Sequence, residues 1–141
     1  MRLLVTKTKN TNSLIIELVN STLYKLQSEN SQYSGVILDG FPRTINQAAS
    51  LDSKIKDSGA SIRAVIYLDI SDEKIISRLE GRGRKDDKPD LIRNRLDVYR
   101  KQTEPLLNYY DEKNLLKPVN GDQDLEDVNN NILNFLKEKV I

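Results

Sequence analysis

The stretch GVILDGFPRTINQAASLD, residues 35–52, is the part of the chain that best indicates its fold. Val36, Ile37 and Leu38 form a short apolar run between turn-forming residues, which is typical of a buried strand. A second apolar run at residues 64–68 has the same character. Strands that are apolar throughout suit a parallel sheet that helices cover on both faces. The stretch therefore predicts a strand, a turn after it, and a helix that starts beyond Pro42.

Working outward, apolar residues recur at helical spacing in most of the remaining chain. We predict a polar loop at 6–13 that ends in an N-cap at Asn12 or Ser13, and a weak third strand at 116–120. The predicted helices cover about 14–26, 43–56, 72–82 (with Ser71 as N-cap), 89–110 (kinked or split at Pro105) and 124–139. This alternation of strands and helices predicts the α/β class with a mostly parallel sheet.

Composition excludes several classes of function. The chain has 141 residues, of which 38% are hydrophobic and 30% charged, as in an ordinary globular domain. A net charge of +1 offers no electrostatic basis for binding nucleic acid or membranes. There is no Cys and no His, so a zinc site is not expected and a bound metal would be a hard cation. No run resembles an export signal or a membrane span, which makes the cytoplasm the expected location.

Residues 39–44, DGFPRT, form the first candidate site because they directly follow a predicted strand. Ligands of open α/β sheets bind beyond the carboxyl ends of the strands. Gly40 allows close backbone approach, and Arg43 can hold a phosphate with two hydrogen bonds. An ordinary turn with a solvated arginine explains the same residues equally well.

A series of arginines forms the second candidate site. Arg78 and Arg82 are spaced to share a helix face, Arg84 lies in the charged loop at 81–90, and Arg95 follows on the next helix. Phosphoryl transfer requires cations around the phosphate oxygens and exclusion of water, which such a cluster would supply. A solvated helix face with surface ion pairs is the alternative.

Three ordered motifs decide between these alternatives by resemblance. Residues 35–52 resemble the signature segment of the adenylate kinase family, and residues 82–87 with 92–110 (RGRKDD and IRNRLDVYRKQTEPLLNYY) resemble its lid and the helix after it. VNGDQDLEDV at 119–128 resembles its C-terminal adenine-side turn. The resemblance implies a three-layer P-loop-kinase-like parallel sheet flanked by helices. It also implies one domain over 1–141, with an AMP-side remnant at about 1–34, core at 35–80 and 91–141, and a short lid at 81–90.

The resemblance further implies the reaction ATP + AMP to 2 ADP, with magnesium accompanying the nucleotides and no zinc. The implied catalytic residues are Arg82, Arg84 and Arg95. The implied ATP-side residues are Arg78, Arg82, Gly121, Asp122 and Gln123. The implied AMP-side residues are Gly40, Arg43, Gln47, Arg84 and Arg95. Asp39 would hold magnesium indirectly, through water, and Asp86 and Asp87 would anchor the lid.

The chain departs from the family pattern at its beginning. Adenylate kinases open with a strand and a G-x-x-x-x-G-K loop whose backbone amides hold phosphate. In this sequence the first glycine is Gly35, and no Gly-Lys pair occurs. Residues 1–13 are either the remnant of the family's AMP-binding segment or a substitute first strand with a degenerate phosphate loop. We prefer the first interpretation because a loop without glycine does not readily form an anion-binding nest.

This departure leads us to expect an N-terminally truncated member whose sheet lacks its first, central strand. Exposed strand edges predict reduced stability, or a dimer that supplies the missing pairing, although the family is monomeric. Losing the phosphate loop would lower the rate by orders of magnitude, so the activity of this chain remains open. The alternative is a noncatalytic protein, derived from an adenylate kinase, that binds adenine nucleotides or a partner.

Overall fold

The structure of the protein, a computed structural model, describes residues 11–28, 36–84 and 87–139. The chain divides into two compact units, Met1–Ser61 and Ile62–Ile141. In the described residues the first unit is helical, whereas the second contains the sheet and its accompanying helices.

The first unit contains helices α1 (Thr11–Ser28) and α2 (Ile45–Asp57), which contact each other. Helix α2 confirms the helix predicted after Pro42. Its N-cap is Thr44, whose hydroxyl accepts a hydrogen bond from the backbone N–H of Gln47 at 3.3 Å. Its buried residues recur at helical spacing and form the core of this unit; they are Gln47, Ala48, Leu51 and Ile55.

The second unit contains a two-stranded parallel sheet of β1 (Val65–Asp69) and β2 (Leu116–Asn120). The two strands begin and end opposite each other, with Asp69 paired to Asn120. Pro118 lacks a backbone N–H, which suits the position of β2 at the edge of a sheet. Parallel strands connected through helices confirm the predicted α/β class, and both strands lie where the sequence predicts them.

Helices pack around this sheet and enclose a small core. In the described residues they are α3 (Asp72–Arg82), α4 (Pro89–Gln102), α5 (Pro105–Asp111) and α6 (Leu125–Lys139). The buried apolar side chains of this unit are Ile92, Leu106, Tyr110, Val119 and Val128. An ion pair between Arg100 and Asp72 joins α4 to the first turn of α3. Of the described helices, none combines the length and the apolar character needed to cross a membrane.

The predicted buried strand at Val36, Ile37 and Leu38 is wrong. In the described ranges these residues have no regular secondary structure, and their exposed fractions are 42%, 87% and 37%. A strand requires a neighbour for its backbone hydrogen bonds. Among the strands that the structure describes, β1 pairs only with β2. Residues 36–38 therefore form no backbone hydrogen bonds with a described strand.

Two helix boundaries test further expectations. The split at Pro105 is confirmed, because α4 ends at Gln102 and α5 begins at the proline. Helix α1 already begins at Thr11, so the predicted loop at 6–13 and its N-cap are wrong from that residue onward. Residues 1–10, on which the two interpretations of the N-terminal segment mainly depend, lie outside the described residues. The single-domain organisation and the dimer stay predictions.

Replacing a core side chain should measure how much the small core of the second unit stabilises the fold. Ile92→Ala removes a side chain with no exposed surface and should lower the free energy of unfolding by about 2–5 kcal/mol. Urea unfolding followed by circular dichroism measures this loss. The matched control is Leu91→Ala, at a neighbouring side chain that is 45% exposed, which should cost under about 1 kcal/mol. Equal losses in the two variants would contradict this description of the core.

Candidate functional site

The loop from Asp39 to Thr44 is held in place by contacts among its own residues. Gly40 has a φ of +69°, in the left-handed region that favours glycine. The Nε of Arg43 donates a hydrogen bond to the carbonyl oxygen of Gly40 at 2.7 Å. A Cβ atom added at Gly40 would lie 3.0 Å from Nη2 of Arg43, so a larger residue would displace the guanidinium. The loop therefore needs glycine at this position both for its backbone and for its arginine.

Gln47 ties this loop to the start of α2. Its Oε1 accepts a hydrogen bond from the backbone N–H of Arg43 at 2.7 Å, and the residue is buried. The sequence interpretation missed this local role, although a threonine followed three residues later by glutamine is a capping signature that indicates it. The role of Gln47 toward the AMP adenine stays a prediction.

The three arginines predicted to be catalytic meet at one carboxylate, that of Asp87. Arg82 donates to it twice, from Nε to Oδ2 at 3.0 Å and from Nη2 to Oδ1 at 2.7 Å. The backbone N–H of Arg84 donates to Oδ2 at 3.2 Å, and Nη1 of Arg95 lies 3.7 Å from Oδ1. We call these four residues the Asp87 cluster. It joins the end of α3 to the helix that follows the charged loop.

Electrostatics within the Asp87 cluster favour the ionised carboxylate. The hydrogen bonds from Arg82 lower the pKa of Asp87 most, and the N–H of Arg84 and the charge of Arg95 act in the same direction, against the opposing effect of burial. The Asp87 side chain is 1% exposed, whereas those of Arg82 and Arg95 are 37% and 48% exposed. A buried anion thus holds two cations that solvent can reach, an arrangement suited to an anionic ligand.

Arg78 takes a different partner from Arg82, although the two are one helical turn apart on α3. Its Nη2 donates to the carbonyl oxygen of Gln123 at 3.1 Å. Gln123 lies in the turn that connects β2 to α6, which we call the Asn120–Gln123 turn. The structure therefore brings together two of the predicted ATP-side residues from distant parts of the sequence.

The Asn120–Gln123 turn lies against the carboxyl end of β1. The backbone N–H of Gly121 donates to the carbonyl oxygen of Asp69 at 2.7 Å. A Cβ atom on Gly121 would overlap Cγ1 of Ile70, so only glycine fits this contact. Oδ1 of Asp122 accepts hydrogen bonds from both the N–H and the hydroxyl of Ser71, each at 3.1 Å. Ser71 occupies the predicted N-cap position, but its side chain bonds to Asp122 rather than capping α3.

Tyr67, in the middle of β1, and Tyr99, on α4, form a phenol pair that the sequence interpretation did not anticipate. Burial and the neighbouring Tyr67 raise the pKa of Tyr99 to about 12. Burial and Asp69 raise the pKa of Tyr67, whose hydroxyl donates to Oδ1 of Asp69 at 3.4 Å. Both phenols therefore stay protonated near neutral pH and do not act as general bases there.

The described residues contain no metal site that is built from protein side chains alone. In them, no group of three or more His, Cys, Asp or Glu side chains is placed to bind an ion. Magnesium that arrives on phosphate oxygens needs only one or two carboxylates, and an acidic residue such as Asp39 can provide one of them. Asp39 is exposed at the loop described above, and its indirect role stays a prediction.

The predicted site residues thus fall into three groups within the described structure. The first unit brings together Gly40, Arg43 and Gln47. In the second unit one group is Arg82, Arg84 and Arg95 around Asp87, and the other is Arg78, Gly121, Asp122 and Gln123. Asp86 lies outside the described residues. Sequence reasoning missed the contributions of Ser71, Ile70 and Asn131, whose contacts arise only from tertiary packing.

Comparisons with known proteins agree on one family. A family model described as adenylate kinase matches residues 5–115. Adenylate kinase 1 of Nostoc sp. strain PCC 7120 is 42% identical over 115 residues, which cover 82% of this chain and 60% of that protein. The adenylate kinase of Prochlorococcus marinus strain MIT 9515 is 41% identical over 119 residues, 84% of this chain and 62% of its own length. The chain therefore spans about three fifths of the length of these curated relatives.

The pH dependence of stability tests the Asp87 cluster. Because folding lowers the pKa of Asp87, its carboxylate stabilises the fold above the ordinary pKa and loses this effect as the pH falls through the lowered value. We expect Asp87→Asn to lower Tm at neutral pH and to flatten the fall in Tm as the pH drops from about 5 to below the ordinary aspartate pKa of about 4.

Differential scanning calorimetry across that range provides the measurement. The control is Asp97→Asn, which makes the same change at an exposed position of α4. An equally steep acid loss of Tm in Asp87→Asn and in the unmodified chain would contradict the role assigned to this carboxylate.

Proposed function

Because this chain belongs to the adenylate kinase family, we propose that it acts on adenine nucleotides as a nucleoside-monophosphate kinase, converting ATP and AMP into two ADP. The observation that carries the proposal is the Asp87 cluster, in which one buried carboxylate holds Arg82 and Arg95 at positions open to solvent. This chain spans about three fifths of the length of the curated adenylate kinases that it matches. Its substrates and its activity are therefore part of the proposal.

The proposed reaction moves the γ-phosphoryl group of ATP to AMP. An oxygen of the AMP phosphate forms a bond to the γ-phosphorus while the bond from that phosphorus to the bridging oxygen of the β-phosphate breaks. Negative charge spreads over the oxygens of the transferred group, and its stabilisation is the main task of the protein. Positively charged donors held in fixed positions perform that task without reorganising during the step.

The Asp87 cluster suits this task because the carboxylate orients the arginines before a ligand arrives. Its two hydrogen bonds from Arg82 engage two of the five N–H groups of a guanidinium. Guanidinium groups remain charged at any physiological pH and match the geometry of phosphate oxygens. We infer that Arg82 and Arg95 contact the transferred phosphoryl group, and that Arg84 takes part from the adjoining loop.

The AMP side of the proposal depends on the first unit. The guanidinium of Arg43 is held by the carbonyl oxygen of Gly40, and the backbone N–H of Arg43 by Gln47. A guanidinium fixed at a loop after an apolar run is suited to a monoester phosphate. We infer that Arg43 binds the AMP phosphate and that Gln47 lies toward the adenine.

The ATP side depends on Arg78 and the Asn120–Gln123 turn. Arg78 carries a planar cation that can lie against the face of an aromatic base. Magnesium would enter with the nucleotide and neutralise phosphate charge during transfer. Asp39 is the residue we assign to that ion, through water.

A noncatalytic adenine-nucleotide-binding role is the second candidate, and a specific sequence observation favours it. The 141 residues contain no Gly-Lys pair, and therefore no G-x-x-x-x-G-K loop to hold the phosphates of ATP. These residues alone would bind nucleotide through arginines but would transfer phosphate slowly. Binding without ADP formation is the result that this alternative predicts.

Catalysis by the Asp87 cluster is tested by measuring ADP formation from ATP, AMP and magnesium in a coupled assay. If the chain is active, Arg95→Ala should lower kcat by about 10²- to 10³-fold, the usual effect of removing one transition-state donor. The matched control is Arg93→Ala, an exposed arginine of the same helix, which should change kcat less than about 2-fold. Calorimetry on the same samples separates loss of turnover from loss of binding. Nucleotide binding without any ADP formation would replace the kinase proposal by the binding role.

The AMP side is tested separately by titrating AMP into the chain. Arg43→Ala should raise the Kd for AMP by about 10- to 100-fold, because charge-assisted hydrogen bonds to phosphate are lost. The Kd for ATP should change little. Arg63→Ala, at an exposed arginine of the second unit, serves as the charge-matched control. A similar loss of AMP affinity in both variants would show that overall charge, rather than the Arg43 loop, determines binding.

A further inference from the structure

The Asn120–Gln123 turn is attached to the rest of the second unit by side chains that the proposed function does not use. Asp122 Oδ1 accepts two hydrogen bonds from Ser71, one from its N–H and one from its hydroxyl. These residues are separated by 51 positions in the sequence, so the contact links the loop after β1 to the loop after β2. The backbone of the turn is also bonded to Asp69 through Gly121, so the Ser71 contact adds a side-chain attachment to a junction that the strand pairing already forms.

A second attachment fixes the other end of the turn. The Nδ2 of Asn131, on α6, donates to Oε1 of Gln123 at 3.0 Å. The carbonyl oxygen of the same Gln123 accepts the hydrogen bond from Arg78. Gln123 is therefore held from two directions, its side chain by α6 and its main chain by α3. These two hydrogen bonds restrain the position of Gln123 beside Arg78.

Steric contact leaves the turn little room to adjust. Gly121 is buried against Ile70, where a Cβ atom would overlap the side chain. The turn can therefore move only if Asp122 and Gln123 release their partners. The hydrogen-bonding groups of a planar base have fixed positions. Small displacements of a protein backbone beside the base therefore decide which of those groups find a partner.

We infer that Ser71 and Asn131 are positioning residues of the base subsite, holding Asp122 and Gln123 so that the turn selects adenine over other purines. The inference rests on the proposed function, since it assigns the ATP base to Arg78 and this turn. The inference adds Ser71 and Asn131 to the residues assigned to the base. It concerns the selection of the base and not the transfer of the phosphoryl group.

The test compares the affinity for ATP with that for GTP, by calorimetry on the full chain. Asn131→Leu retains a side chain of similar size but removes every hydrogen-bonding group that faces Gln123. We expect the Kd for ATP to rise about 3- to 10-fold, the effect of one hydrogen bond. The Kd for GTP should change by less than about 2-fold, so the preference for ATP falls, while AMP binding is unaffected.

Matched variants separate positioning from general effects. Asn130→Leu makes the same change at the adjacent exposed position of α6 and should leave the ATP preference unchanged. Ser71→Ala should lower the preference as Asn131→Leu does, and Ser71→Thr, which keeps the hydroxyl, should retain it. Thermal melts identify any variant that is unfolded. If the Asn131 variant is unfolded, the comparison of Ser71→Ala with Ser71→Thr still tests the inference.

The outcomes distinguish the inference from the function on which it rests. If the unmodified chain binds ATP but Asn131→Leu and Ser71→Ala keep its preference over GTP, the positioning role is overturned while the proposed function stands. Parallel losses for ATP and GTP would indicate a merely structural role and would also overturn the inference. If the unmodified chain binds neither ATP nor AMP, the proposed function fails, and the positioning role fails with it.

Discussion

The buried carboxylate of Asp87 is the interaction on which the described second unit most depends. A charge with 1% of its side chain exposed is costly to desolvate unless donors surround it, and Arg82, Arg84 and Arg95 supply them. The result links the end of α3 to α4 across a charged loop that has little apolar surface. The ionised carboxylate of Asp87 therefore holds α3 and α4 together and also brings the positive charges of Arg82 and Arg95 close to each other.

The parallel register of β1 and β2 has a comparable consequence at the other group of candidate residues. Because Asp69 pairs with Asn120, the segments that leave both strands emerge at the same edge of the sheet. Residues 69–71 and 120–123 are thereby brought into contact despite their separation in sequence. Such edges are where α/β proteins bind ligands, since loops converge there without disturbing the core.

Together these features explain why the family's chemistry suits this fold. Phosphoryl transfer between nucleotides depends more on positively charged groups fixed around the phosphate oxygens than on a reactive side chain. The described residues include neither a histidine nor a cysteine, and the two phenols near β1 stay protonated. In the proposed reaction, guanidinium groups held by carboxylate and carbonyl oxygens would supply the fixed charge.

The sequence by itself determined the helices, strands β1 and β2, the break at Pro105 and the family, because apolar periodicity, proline and ordered motifs are local signals. It could not show that Val36, Ile37 and Leu38 lack a strand, since pairing depends on a neighbour elsewhere in the chain. Tertiary structure alone decided that Asp87 collects the arginines and that Ser71 and Asn131 hold the Asn120–Gln123 turn. The Ser71 contact joins residues 51 positions apart, and the other contacts join residues three to eight positions apart. Residues this near in sequence still need the right fold to reach each other, so only folding fixes the distances on which these hydrogen bonds depend.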